Sequence, residues 1–276
     1  MTGRQPPKKI SLFVSDVDGT IVTPSPNKGL APATIDAVKR LKAAGIAFSI
    51  VSSRPPRGML SVAGPLGLDR FAGFNGSEIV TGDLSPIEQH FVPEEAARIA
   101  VAEMQKVGAD VWVFADNEWF VTDPDDPYIA HEVNTVGFSP IVVKEFGDHL
   151  ARAGKIVGSS ANPELLARAE ADLQQMLGTA ASAKRSQTYY LDVTHPTADK
   201  GHAVRALARH FGVPLDEVAV VGDMINDLPM FPVGALAIAM GNASDYVKSQ
   251  ADFVTSSNAE DGVARAIDSL ILPRAP

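Results

Sequence analysis

The chain has 276 residues, 45% of them hydrophobic and 21% charged, with a formal net charge of −9 and no cysteine. Disulfides, thiol nucleophiles and cysteine zinc sites are therefore excluded, and the acidic balance argues against a nucleic-acid partner, which calls for a basic face. No apolar stretch approaches a membrane span, and the run after Arg4, Lys8 and Lys9 is broken by Asp16 before it reaches the length of a secretory segment; a cytoplasmic protein with no membrane partner is expected.

The first part alternates between strand and helix signals. Ile10–Val14 is a continuous apolar run, as in a strand covered on both faces. Pro32 suits a first helical position, Ile35, Val38 and Leu41 follow at helical spacing, and Gly45 ends the helix. Ile46–Val51 is the next strand, a helix is expected over Arg57–Leu66, and Phe71–Phe74 leads into an Asn75-Gly76 turn. Such alternation predicts βαβ units and a parallel sheet.

The pattern changes near Gly82. Strand signals over Val111–Ala115, Trp119–Thr122, Ile141–Val143 and Lys155–Gly158 are interleaved with helices over Glu94–Lys106 and Pro163–Leu177. Asp123–Pro127 is expected to be a solvated loop, and Trp112, Trp119 and Phe120 to be core. This stretch predicts an inserted α+β layer over residues 83–187. Residues 1–82 and 188–276 would then form an α/β, Rossmann-like core with helices on both faces of a parallel sheet.

Alternation then resumes. Ala203, Val204, Leu207, Ala208 and Phe211 share a helix face closed by Gly212 and Pro214. Val218–Val221, Leu236–Ala239 and Asp252–Val254 read as strands, and Val263, Ile267, Leu270 and Ile271 mark the last helix. The first nine residues and Pro273–Pro276 are expected to be loose ends.

Polar clusters follow the strands. Asp16 and Asp18 come after the first strand, Ser52 after the second, and Asp223 with Asn226 and Asp227 after Val218–Val221, while Lys200 opens a helix. Ligands of open parallel sheets bind beyond the carboxyl ends of the strands, so these residues are expected to meet in one crevice. Carboxylates at a buried strand end need a partner. A hard divalent cation suits them, because Mg²⁺ takes one or two carboxylates plus water and substrate phosphate. Lys200 and Ser52 beside it would bind a dianion, which is the set phosphoryl transfer requires.

Taken singly, each residue has a plainer reading. Asp18-Gly19 suits a turn, Asn226-Asp227 a helix cap, Asn75 a turn, and Lys200 a solvated helix surface. Those readings leave unexplained why acids recur at strand ends beside a suitably placed lysine.

The ordered clusters resemble the motifs of the haloacid dehalogenase superfamily. Asp16-Val17-Asp18-Gly19-Thr20 is similar to the first motif, Ser52 to the second, Lys200 to the third and Gly222-Asp223-Met224-Ile225-Asn226-Asp227 to the fourth. Asn75-Gly76, Asp199-Lys200-Gly201, Ala239-Met240-Gly241-Asn242-Ala243, Val247-Lys248 and Glu260-Asp261-Gly262-Val263 resemble its Cof-type branch, whose large α/β cap falls where the insertion lies.

The resemblance implies a Mg²⁺-dependent phosphatase acting on small phosphorylated metabolites, sugar phosphates foremost, through an aspartyl-phosphate. It implies Asp16 as nucleophile and Asp18 as general acid and base. Asp16, Asp18 through its backbone carbonyl, and Asp223 would be the metal ligands. Ser52, Lys200, Ser53, Asn75 and Gly76 would lie around the phosphate. Gly19 would permit the turn, Asn226 and Asp227 would hold metal-bound water or orient Lys200, and Asn242 would stand at the rim. Ser53 departs from the branch, which usually has Gly there. A phosphosugar mutase, a receiver-type signalling domain and a phosphometabolite-binding protein without turnover are the alternatives. The oligomeric state stays open.

Overall fold

A computed structural model describes residues 6–22 and 29–276; Arg4 lies outside them. The chain divides into two compact units. One holds the residues up to Ser53, Leu60–Ile87 and Asp199–Pro276; the other holds Arg54–Met59 and Glu88–Ala198.

The chain runs through β1 (Leu12–Asp16), β2 (Ala47–Val51), β3 (Arg70–Gly73), β4 (Glu78–Thr81) and β5 (Pro86–Gln89). It continues through β6 (Asp110–Ala115), β7 (Glu118–Val121), β8 (Ile141–Val142), β9 (Ala153–Ser159), β10 (Ser182–Gln187) and β11 (Tyr190–Thr194), then β12 (Val218–Gly222), β13 (Leu236–Ala239) and β14 (Phe253–Val254). The first sheet has the order β14-β13-β12-β1-β2-β3-β4-β5. Its neighbours from β14 to β3 are parallel, and β4 turns back antiparallel to β3. One face packs on the helix Lys200–Phe211 through Leu12, Val14, Val218, Val220, Ala203 and Leu207. On the other, the helix Pro32–Ala43 packs with Gly262–Ala266.

β1 begins two residues later than expected. Ile10 donates its backbone N–H to the Arg274 carbonyl at 2.7 Å, and Ser11 donates its own to the Glu217 carbonyl at 2.9 Å, just before β12. The carboxyl end is thereby pinned and is no loose end: Leu272–Arg274 forms a 3₁₀ turn. The helix expected over Arg57–Leu66 is a 3₁₀ turn, Pro56–Met59, and one α turn, Leu60–Ala63. Pro55, Pro56, Gly58 and Gly64 explain its shortness, since neither residue type favours a helix interior.

The second unit is built on a sheet of order β10-β11-β9-β6-β7-β8, antiparallel except where β8 joins β7. Helices Glu94–Lys106 and Pro163–Leu177 cover one face, burying Val111, Val113, Ile156, Leu191 and Val193. Residue 187 lies inside the hairpin of β10 and β11, so the observed division falls at Ala198. β10 escapes sequence reading because Ser182–Gln187 is a polar edge strand, and β11 because Asp192 interrupts its apolar run. The helix Ile129–Val136 was also not expected; it lacks a side-chain N-cap.

Asp123–Pro127 is not a wholly solvated loop. Asp126 is 5% exposed and accepts hydrogen bonds from the Trp112 indole, the Ser159 hydroxyl and the Tyr128 amide. Trp112, Trp119 and Phe120 are buried, as expected of core.

Candidate active site

β1 and β12 are parallel neighbours, with Ser15 opposite Val221. The chain leaving β1 at Asp16 and the chain leaving β12 at Gly222 therefore emerge side by side. Carboxylate oxygens of Asp16, Asp223 and Asp227 lie within 4.8 Å of one another. Lys200, 2% exposed, reaches into this cluster, with Nζ 2.5 Å from Asp16 Oδ1 and 2.6 Å from Asp227 Oδ1.

Lys200 is the first residue of its helix, where the macrodipole disfavours a cation. Asp199 caps that helix by accepting from the His202 amide at 2.8 Å. Burial by itself lowers the Lys200 pKa, but the charges of Asp16 and Asp227 outweigh it and hold the ammonium protonated.

The acids are not equivalent. Asp227 is fully buried. Its Oδ2 accepts the backbone amides of Asp223 and Met224, both at 2.8 Å, while Oδ1 is taken by Lys200. It holds the Asp223 turn and aims the lysine. Asn226, expected with Asp227 to hold metal-bound water or to orient Lys200, is exposed on the turn Ile225–Met230, while the bonds of Lys200 go to Asp16 and Asp227. Asp223 accepts from the Thr20 hydroxyl at 2.9 Å and from Asn242 Nδ2 at 3.2 Å, one bond on each oxygen, so each keeps a second lone pair.

Burial, then the charge of Asp227, pushes Asp16 up to about 8. The same two causes push Asp223 up to about 6. Three acids against one ammonium leave an excess of negative charge that a divalent cation would relieve. The open lone pairs of Asp16 and Asp223 fit such an ion. Gly19 keeps the space clear: it adopts φ +81°, and a Cβ there would stand 2.3 Å from Asp223 Oδ2.

Asp18 is half-buried on the turn after β1, where its backbone bridges to Val22. Ser52 is 1% exposed, and its carbonyl accepts the Asn75 amide at 2.8 Å. The Phe74–Gly76 turn is left-handed at three successive residues, with φ 47°, 56° and 99°. Gly76 is required there, because a Cβ would meet the Ala203 Cβ at 2.6 Å, on the helix that carries Lys200. The turn thus ties Ser52 and Asn75 to the Lys200 helix. Ser53, half-buried, is the last residue of this stretch in the first unit.

Asn242 is exposed yet anchored. Nδ2 also donates to the Gly19 carbonyl at 2.9 Å, and Oδ1 accepts the Asn258 amide at 3.0 Å. Thr20 and Asn258 had no assigned role in the sequence. Thr20 had a usable signal, a hydroxyl directly after the Asp18-Gly19 turn; Asn258 had none.

A sequence profile of the haloacid dehalogenase-like hydrolases matches residues 13–267. A putative phosphatase of Haemophilus influenzae is 31% identical over 258 residues, covering 92% of this chain and 95% of that one. A haloacid dehalogenase-like hydrolase from Bacteroides thetaiotaomicron superposes with a TM-score of 0.88 at 26% identity, over 95% of this chain and all (100%) of the other. A sugar phosphatase of HAD subclass IIB shares the fold, with a TM-score of 0.80 at 23% identity, over 94% of this chain and 98% of its own.

Proposed function

Because the chain belongs to the haloacid dehalogenase-like hydrolase family and is an enzyme of its phosphatase class, we propose that it hydrolyses small phosphomonoesters, sugar phosphates foremost, through an aspartyl-phosphate on Asp16. The observation that carries this reading is the Lys200 ammonium bridging Asp16 and Asp227 beside Asp223. Mere binding of a phosphate does not call for three acids around one lysine.

In the proposed reaction an Asp16 carboxylate oxygen attacks phosphorus and the bond to the leaving alcohol breaks. Asp18 gives its proton to the departing oxygen. Asp18 then takes a proton from water, whose oxygen attacks the phosphoryl group. Phosphate leaves and the Asp16 carboxylate is restored. Lys200 and Ser52 hold phosphoryl oxygens, with Ser53, Asn75 and Gly76 lining their side. Asp227 keeps Lys200 aimed, and Thr20 and Asn242 keep Asp223 in place. Asp16, Asp223 and the Asp18 carbonyl would hold Mg²⁺, which supplies charge neutralisation at the phosphoryl oxygens.

The test is release of inorganic phosphate from a panel of phosphorylated metabolites with Mg²⁺. Release without a bisphosphate activator separates hydrolysis from a mutase. Retained turnover in Asp16→Asn would remove Asp16 as nucleophile, and an undiminished rate in excess chelator would remove the metal.

A further inference from the structure

The turn that carries Asp18 is gripped by a segment far along the chain. Within the turn, the amides of Thr20, Ile21 and Val22 all donate to the Val17 carbonyl, at 3.3, 3.1 and 3.1 Å. Val22 then bridges back to Asp18. Three donors share an oxygen that has two lone pairs, so the turn's own bonds fix it loosely.

Asn258 supplies the further hold. Its Nδ2 donates to the Val22 carbonyl at 3.0 Å, across 236 positions. Its backbone amide donates to Asn242 Oδ1 at 3.0 Å. Asn242 Nδ2 carries the connection on to the Gly19 carbonyl at 2.9 Å and to Asp223 Oδ2 at 3.2 Å. The turn is therefore held at Gly19 and at Val22 by one residue and the asparagine it orients. All of these residues belong to the first unit.

Asn258 is itself fixed, as the first residue of the 3₁₀ turn Asn258–Glu260. Before it, the Ser256 carbonyl accepts the Gly241 amide at 3.0 Å, and Ser257 Oγ donates to Glu260 Oε2 at 2.9 Å. After it, the Gly262 amide donates to the Ser257 carbonyl at 3.0 Å, and Thr255 Oγ1 donates to the Gly262 carbonyl at 2.7 Å. Asn258 is half-buried, and both its nitrogens are committed to other segments, so it has given up the rotamer freedom of a surface side chain.

We propose that Asn258 is a positioning residue for Asp18: by holding Val22 directly and Gly19 through Asn242, it keeps the Asp18 carboxyl aimed for proton transfer. This rests on the phosphatase reading for the proton transfer; the clasp stands on the hydrogen bonds. A general acid works only within hydrogen-bond reach of its proton's destination, and a displacement of about 1 Å costs up to about 100-fold in rate.

The test compares Asn258→Ala with wild type, as full chains with Mg²⁺. On the alkyl phosphomonoester cleaved best in the metabolite panel, kcat should fall about ten- to 100-fold while KM stays within about two-fold, since the bonds lost are to the turn. p-Nitrophenyl phosphate separates aim from general damage. Nitrophenolate departs without a proton, so the first step should keep its rate in the variant, whereas attack of water still needs Asp18 as base. Nitrophenolate should then appear in a burst followed by slow turnover. An unchanged kcat on the alkyl ester, a rise in KM alone, or a first step slowed as much as turnover would overturn the proposal. Should Asn258→Ala fail to fold, Asn258→Leu, which keeps the volume and the backbone bond to Asn242, carries the same comparison. A second arm needs no turnover: hydrogen exchange at the Thr20, Ile21 and Val22 amides of metal-free protein should quicken about ten-fold or more in the variant, with β12 and β13 exchanging as in wild type. Equal exchange at those amides, or quickening spread over the whole sheet, overturns the clasp. A chain that releases no phosphate from any ester defeats the phosphatase reading, and the exchange arm still decides the clasp.

Discussion

Lys200 holds the Asp16 carboxylate at 2.5 Å although 184 positions separate them. Both are buried, so neither charge has water to fall back on. Pairing inside the protein is what permits each of them to stay. The same lysine is held from the other side by Asp227 at 2.6 Å, which leaves it one defined position.

Removing the lysine should therefore cost more than activity. Lys200→Ala strands two buried acids, and breaking such a pair destabilises by about 3 kcal/mol. Urea unfolding without metal should show the loss. Lys200→Arg should not restore activity, since a site 2% exposed has no room for a planar guanidinium.

Asp16→Asn separates chemistry from structure. Phosphate release should fall at least about 1,000-fold, while circular dichroism and the thermal midpoint stay close to wild type, because Lys200 retains Asp227. Residual turnover near the wild-type rate would contradict the proposed nucleophile.

Asp227 and Asn226 are neighbours with opposite expected behaviour. Asp227→Ala removes the acceptor of two backbone amides and of Lys200, and should cost about 2–3 kcal/mol together with most activity. Asn226→Ala, at an exposed position, should leave the unfolding curve unchanged. Equal effects at the two sites would mean that the division of labour drawn here is wrong.

The pH dependence follows from the raised carboxyls. Asp16 stands at about 8 and Asp223 at about 6 in the folded protein, against an ordinary 3.8. Between those values the folded chain keeps protons that the unfolded chain releases. Their contribution to stability is thus full below about 3.8 and is lost as pH rises through 6 and then 8. Metal-free protein should melt at lower temperature at pH 8 than at pH 5.5, other groups aside. Mg²⁺ competes with those protons, so its stabilising shift should grow over the same interval. Thermal scans with and without Mg²⁺, repeated in Asp223→Asn, measure both effects; the variant should lose most of the Mg²⁺ shift.

Gly76→Ala tests the turn that joins Ser52 to the Lys200 helix. The new Cβ meets Ala203 at 2.6 Å on a backbone with φ +99°, and strain of this kind costs about 1–3 kcal/mol. The melting temperature should fall, and kcat should fall with it as Lys200 and Ser52 lose their relative position.

Much of this protein was readable from local pattern. Helices Glu94–Lys106 and Pro163–Leu177 begin and end where they are expected, because apolar residues recur at helical spacing through each of them. The order of the acidic, hydroxyl and lysine clusters along the chain was equally plain, as was the parallel core, since buried strands and amphipathic helices carry their own periods. β10 and β11 were not plain. A polar edge strand and an apolar strand interrupted by Asp192 make sense only when paired with each other and with β9.

What the amino-acid order determined by itself was the inventory: strands that end in acids, a lysine opening a helix, and glycines where the backbone must turn. What only tertiary structure decided was the work of each acid. Asp227 became the lysine's holder, and Asp223 was set beside Asp16 with open lone pairs, through the register of β1 against β12 and through hydrogen bonds from Thr20 and Asn242. Those partners lie 203 and 19 positions from Asp223. A side chain's protonation and reach depend on its neighbours in space, and no window of sequence contains them.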